Sequence, residues 1–312
     1  MIHALAVPLP SPRPLALPSR YAADHFAQGE RMMDAQSMAL WAASHPLTVW
    51  AGGMAIGLLV AMALWAATGP LHAHGARWAA PWAERWTAPQ HAGPRLLATL
   101  FVAAMLLLAC AQALAALAEE WAAPTTWALL DQTLADTLRT TASVATLTLF
   151  AKLTHAGDVA VLTVLTVAVA AALWLRRYRL LALGWLAAMI GNGLLTRAFK
   201  YTFERVRPVH TQEISTADGF SFPSGHSSAS LVAYGMLAYL ALRLLPARWH
   251  LPAVLLAVAT VFTVGWSRVV LQVHFASDVL AGWLTGGAWL ACCVMVMSGV
   301  GHWHRSRSAT LA

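Results

Sequence analysis

The sequence predicts an all-α protein: a polytopic membrane helical bundle with a six-helix core and one extra transmembrane helix ahead of it. Three observations carry this prediction. The 312 residues are 59% hydrophobic and only 11% charged, where a soluble domain carries about 25% charged residues. Seven segments near spanning length contain no Asp, Glu, Lys or Arg. The basic residues gather in alternate connections between those segments, as the positive-inside tendency requires.

The segments are Leu47–Thr68, Leu96–Leu117, Val159–Leu175, Leu180–Thr196, Ser227–Leu242, Leu251–Ser267 and Val279–Val300. A helix needs about 20 apolar residues to cross the hydrocarbon core, and the shorter segments reach that with their flanks. Backbone polar groups in lipid must be satisfied within the segment, so these are helices. A soluble helical core is excluded because seven such runs would leave almost no polar surface.

The organisation follows the chain. Residues 1–46 read as a leader, with five prolines in the first 18 positions (Pro8, Pro10, Pro12, Pro14, Pro18) and a short amphipathic helix over Tyr21–Ser44. The leader lacks the basic start and unbroken apolar run of a cleaved signal peptide. Residues 47–95 hold the extra helix and a Pro-, Trp- and His-containing connector over 69–95; residues 96–300 form the six-helix unit, and 301–312 a short cytoplasmic tail. Within that unit, Thr125–Phe150 spaces its apolar residues as an amphipathic helical hairpin on the outer interface. Cys110, Cys292 and Cys293 lie in apolar segments and read as small core residues.

Charge fixes orientation. Arg176, Arg177 and Arg179 fill one connection, Arg243 and Arg248 flank another, and Arg305 and Arg307 lie in the tail. These regions are predicted cytoplasmic, which places the alternate loops outside. The net charge of +7 is scattered through short connections, so a nucleic-acid partner is excluded.

Three polar clusters remain, all at the predicted outer ends of helices. Ionisable groups beside hydrocarbon are costly and mark function. In the first, Lys200 is followed seven residues later by Arg207-Pro208. Lysine offers a compact cation and arginine a planar fork for two phosphate oxygens. Arg205 and Arg197 read as helix-end anchors at headgroup level. The second cluster, Pro223-Ser224-Gly225-His226, opens a helix, where free N–H groups attract anions and a histidine can move protons. In the third, Ser267-Arg268 closes one segment and His274 precedes Asp278 by four residues. That spacing shares a helix face, so Asp278 can orient one imidazole nitrogen and leave the other as a nucleophile.

The three clusters resemble the signature of the type 2 phosphatidic acid phosphatase (PAP2) superfamily, which includes membrane lipid phosphatases and soluble vanadium haloperoxidases. That signature is Lys, six residues, Arg-Pro; then Pro-Ser-Gly-His; then Ser-Arg, five residues, His, three residues, Asp. All three parts occur here in order, and the resemblance covers roughly Leu96–Val300. It implies a metal-independent phosphatase, without a cofactor, that acts on a phosphorylated lipid through a phosphohistidine. His274 would be the nucleophile, Asp278 its orienter and His226 the proton donor to the leaving oxygen. Lys200, Arg207, Ser224, Gly225 and Arg268 would hold the phosphate. Isoprenyl diphosphate, including undecaprenyl diphosphate, phosphatidylglycerophosphate and phosphatidic acid are the candidate lipids. The setting implied is a multi-pass protein of a bacterial inner membrane with its site on the outer, periplasmic face.

Other readings stay open at this stage. Transfer of the phosphate to a second lipid would use the same histidine. Anion transport would use the cations as a passing site, with Gln112 and Asn192 as the main polar lining. A metal-dependent hydrolase would draw on His210, Glu213 and Asp218, which lack recognised ligand spacing.

Overall fold

The computed structural model describes residues 33–87, 91–122, 125–208 and 219–311. They form ten α-helices, with no strand among the described residues. Helix α1 covers residues 33–44. It is followed by α2 (Pro46–Thr87), α3 (Ala92–Ala122), α4 (Thr126–Thr141), α5 (Val144–Leu153) and α6 (Val159–Leu175). Then come α7 (Arg179–Phe203), α8 (Gly225–Leu244), α9 (His250–Val270) and α10 (Ala276–Leu311).

Seven stretches are long and apolar enough to span a bilayer: one each in α2, α3, α7, α8 and α10, one over α5 to α6, and one from Ala247 through α9. The chain is a multi-pass membrane protein with the all-helical class that its composition predicts. Large side chains such as Val159, Val164, Val167, Leu175, Ile190 and Leu194 are exposed along these stretches, which suits a surface solvated by lipid.

One part of the expected organisation differs, and another lies largely outside the described residues. The connector predicted over 69–95 is largely helical in backbone, because α2 continues to Thr87 and α3 starts at Ala92. Gly69-Pro70 suggests a break, but the following ARWAAPWAERW run is rich in residues that lose little entropy in a helix. The proline-rich leader over residues 1–18 lies outside the described residues, as does the first half of the amphipathic helix expected over Tyr21–Ser44. Residues 33–44 of the latter are helical.

The bundle core sits where α6, α7, α8 and α10 meet, around the fully buried Trp185, Val232 and Met236 with Leu173 and Met297. Helix α9 packs against α8, and α2 lies outside α9, tied by Trp50 Nε1 to Thr263 Oγ1 at 3.1 Å and by Trp266 Nε1 to the Pro46 carbonyl at 3.0 Å. The α8–α10 crossing is close because Gly282 and Gly286 line it. A Cβ on Gly282 would stand 2.6 Å from the Ser224 carbonyl oxygen, and one on Gly286 2.7 Å from that of Ser228. Small residues four apart let two membrane helices approach to backbone contact. That contact brings the start of α8 beside the start of α10.

The hairpin expected over Thr125–Phe150 appears as α4 and α5, each started by a side-chain cap: Thr125 accepts from the Ala128 N–H and Ser143 from the Thr146 N–H. Alternation of direction puts the α3–α6 connection, the α7–α8 loop and the α9–α10 turn at one end of the bundle, opposite the arginines at 176–179 and 243–248.

Candidate active site

Three chain segments converge at that end. Helix α7 carries Lys200 in its last turn and stops at Glu204, a left-handed cap with φ of 47° whose N–H bonds to the Lys200 carbonyl. The chain then runs through Arg205 and Arg207. Helix α8 begins at Gly225, capped by Ser224, and presents His226 in its first turn. Between α9 and α10, residues 271–275 turn sharply, with Gln272 at φ of 57°, and deliver His274.

A cavity of about 760 Å³ is lined by Lys200, Arg207, Gly225, His226, Arg268 and His274. Six of the eight predicted site residues therefore share one wall system. Ser224 and Asp278 do not line it. Ser224 is fully buried, its hydroxyl capping α8 and receiving the Ser227 hydroxyl at 2.9 Å, while its N–H donates to the Asp278 carbonyl at 2.9 Å. Asp278 is fully buried behind His274, with Oδ2 3.4 Å from His274 Nδ1 and receiving the Phe275 N–H at 2.9 Å. The histidine contact is within ion-pair range, yet Nδ1 makes no aligned hydrogen bond among the described residues.

Arg207 ties the clusters together. Its Nε donates to the Gly219 carbonyl at 2.9 Å, and its terminal nitrogens to the carbonyls of Phe220 at 3.1 Å and Val273 at 2.6 Å. The same guanidinium lies 3.2 Å from His274 Nε2. A guanidinium only donates, so Nε2 is the accepting nitrogen and the ring proton sits on Nδ1, towards Asp278. Lys200 Nζ donates to the Phe220 carbonyl. Arg268 is almost fully buried, bonded to Thr154 Oγ1 at 3.0 Å, and its Nε has no partner among the described residues. A buried guanidinium N–H beside a cavity is suited to an anion.

Burial, reinforced by Arg207 and Arg268 and opposed by Asp278, pushes the His274 imidazole down to about 3. It is therefore a neutral base across the physiological range.

The structure adds residues that sequence reasoning missed. Asp158, which starts α6, places Oδ1 3.0 Å from His226 Nε2 and Oδ2 2.5 Å from His155 Nδ1. Asn192, named from the sequence only as polar lining for anion transport, lines this cavity and receives the Ser228 hydroxyl at 2.5 Å. Arg205 requires a correction. It is not a headgroup anchor but a buried side chain, 2.6 Å from Asp278 Oδ1 and 3.0 Å from Asp131 Oδ2. Two carboxylates drew it inward, a pairing across more than 70 residues that no local pattern reveals. Burial pushes the Asp131 carboxyl up, against hydrogen bonds from Ser277 and the charge of Arg205. Arg197 is exposed as expected, stacks on Tyr201 and reaches the cavity rim. His210, Glu213 and Asp218 lie outside the described residues.

Residues 181–301, which hold all three polar clusters, match the PAP2 superfamily and form a domain of that superfamily. Among its relatives, phosphatidylglycerophosphatase B of Bacillus subtilis is 34% identical over 136 residues, 43% of this chain and 66% of that protein. The crystal structure of a transmembrane PAP2 type phosphatidylglycerolphosphate phosphatase from Bacillus subtilis superposes with a TM-score of 0.55 at 26% identity. That match covers 61% of this chain and 94% of the neighbour's.

Proposed function

We propose that this protein is an integral-membrane lipid phosphatase that hydrolyses a lipid phosphate monoester or diphosphate through a phosphohistidine on His274, without a metal. The observation that carries the reading is the shared cavity, which joins Lys200, Arg207, Arg268 and two histidines at one end to apolar walls on the other. Those walls include Val159, Leu162, Val167, Met189 and Ile190 of α6 and α7, and Val159, Val167 and Ile190 are exposed on the lipid-facing surface. A phosphate head thus has a polar berth while its tail stays in hydrocarbon.

The chemistry follows from the proton positions. Arg207 turns from His274 Nε2 to the phosphate oxygens, joining Lys200, Arg268 and the N–H groups that open α8, which offset charge as it develops. The freed Nε2 lone pair attacks phosphorus, while the Nδ1 proton faces Asp278. As the P–O bond to the lipid breaks, His226 gives a proton to the departing oxygen. Asp158 accepts from His226 Nε2, which leaves Nδ1 for that transfer. His226 then takes a proton from water, the hydroxide attacks phosphorus, and the P–N bond breaks to release inorganic phosphate and His274.

Similarity to a phosphatidylglycerophosphatase makes phosphatidylglycerophosphate the first lipid to try, ahead of phosphatidic acid and isoprenyl diphosphates. The site's place opposite the arginine-rich connections supports a location on the outer face. The test is phosphate release from these lipids in the presence of a chelator. Release by the wild type and none by His274→Ala is the expected result. Full activity in His274→Ala overturns the mechanism, and label appearing on a second lipid assigns transfer in place of hydrolysis.

A further inference from the structure

We infer that Asp131 and Arg205 form a buried brace that positions Asp278 against His274, so that helix α4 sets the nucleophile's geometry from behind the cavity. The inference rests on the phosphatase reading and adds two positioning residues to it. Asp131 lies outside residues 181–301, the part of the chain that matches the superfamily.

The guanidinium of Arg205 is held on every side. One terminal nitrogen donates to Asp278 Oδ1 at 2.6 Å and to Ser277 Oγ at 2.7 Å; the other donates to Asp131 Oδ2 at 3.0 Å. Its faces are covered by the rings of Trp121 and Phe275, each 4.3 Å from its central carbon. Asp131 holds the same neighbourhood a second time: Oδ1 receives the Ser277 N–H at 3.1 Å, and Oδ2 the Ser277 hydroxyl. Both oxygens of Asp278 are thereby committed, Oδ1 to Arg205 and Oδ2 to the Phe275 N–H and the Nδ1 edge of His274.

Pinning a carboxylate at both oxygens fixes the plane in which it meets the imidazole, and a misplacement of about 1 Å there can cost about a hundredfold in rate. Neither Asp131 nor Arg205 lines the cavity, so neither touches the substrate. Neutralising a buried arginine needs one carboxylate; the second, Asp131, comes from a separate helix. Its helix is held in turn by α1, whose Ala39 and Ala43 pack on Leu134 and Leu138.

The test uses the full-length protein with phosphatidylglycerophosphate and phosphatidic acid in mixed micelles. It compares the wild type, His274→Ala, Asp131→Asn, Arg205→Lys, Arg205→Met and the Asp131→Asn/Arg205→Met pair. Asp131→Asn is isosteric and remains readable even where Arg205→Met fails to fold; thermal midpoints identify the folded variants. The expected result for Asp131→Asn and Arg205→Met is a kcat lowered about tenfold or more with KM changed by under about threefold. Arg205→Lys should recover part of the loss, and the double variant should be scarcely worse than Arg205→Met alone. A folded Asp131→Asn with kcat within about twofold of wild type overturns the brace; so does a loss carried by KM, or losses that multiply in the double variant. An inactive wild type, or an active His274→Ala, brings down the phosphatase reading itself, an outcome separate from the others.

Discussion

His226 Nε2 stands 3.0 Å from Asp158 Oδ1, so each of the two site histidines has a carboxylate behind it, supplied from a different helix start. Asp278, in the first turn of α10, lies four residues after His274, whereas Asp158 reaches His226 from the head of α6, 68 residues away.

Asp158→Asn should lower kcat about 10- to 100-fold with a natural lipid substrate, within the range general acids contribute. The loss should shrink for an aryl phosphate, whose leaving oxygen departs without a proton. Parallel assays of the two substrates check this; equal losses on both would remove His226–Asp158 from the leaving-group step.

The low value of His274 gives two pH predictions. The free imidazole titrates near 6.5 and the folded one near 3. Between those values the unfolded chain binds a proton that the folded chain refuses. Stability from this group is therefore full above 6.5 and falls as pH drops towards 3. Thermal midpoints in detergent should decline across that window, and less steeply in His274→Asn. The rate should fall at both acid and alkaline extremes, with the acid limb well below 6.5. A monotonic profile for the chemical step would count against the division of labour between the histidines.

Gly193 lines the cavity on α7, and a Cβ there would meet nothing within 4 Å. Gly193→Leu should therefore fold and fill the groove. Its kcat/KM for a long-chain lipid phosphate should drop about tenfold or more, while a short water-soluble phosphate is turned over as before. Equal effects on both would show that the tail does not lie there.

Gly282→Ala tests the α8–α10 crossing. Its methyl would meet the Ser224 carbonyl, backbone that cannot rotate away. We expect destabilisation of about 1–3 kcal/mol with loss of activity, read from thermal unfolding and phosphate release. Gly287→Ala on the same helix, where a Cβ meets nothing, is the control and should leave both unchanged.

The spans and the three clusters were legible because each is a local pattern: an uncharged run, or a fixed spacing of residues with matched chemistry. Asp131, Asp158 and Arg205 were not, because each acquires its role from a partner far along the chain. A lone arginine at a helix end reads as an anchor until two buried carboxylates are seen beside it. Asp158 carried a faint signal as the polar residue heading an apolar helix, but nothing nearby pointed to His226. The helical backbone beyond Thr68 was hidden for another reason, since Gly69-Pro70 marks a stop that the alanine-rich run after it overrides.

A chamber wet at one end and greasy along its flank has a consequence for turnover. In the proposed reaction the two products would part by solubility, inorganic phosphate escaping to water and the dephosphorylated lipid returning to the bilayer along the apolar wall of α6 and α7. Spent lipid should then compete according to its mole fraction in the bilayer, whereas phosphate competes according to its concentration outside, so the enzyme answers to two separate reservoirs.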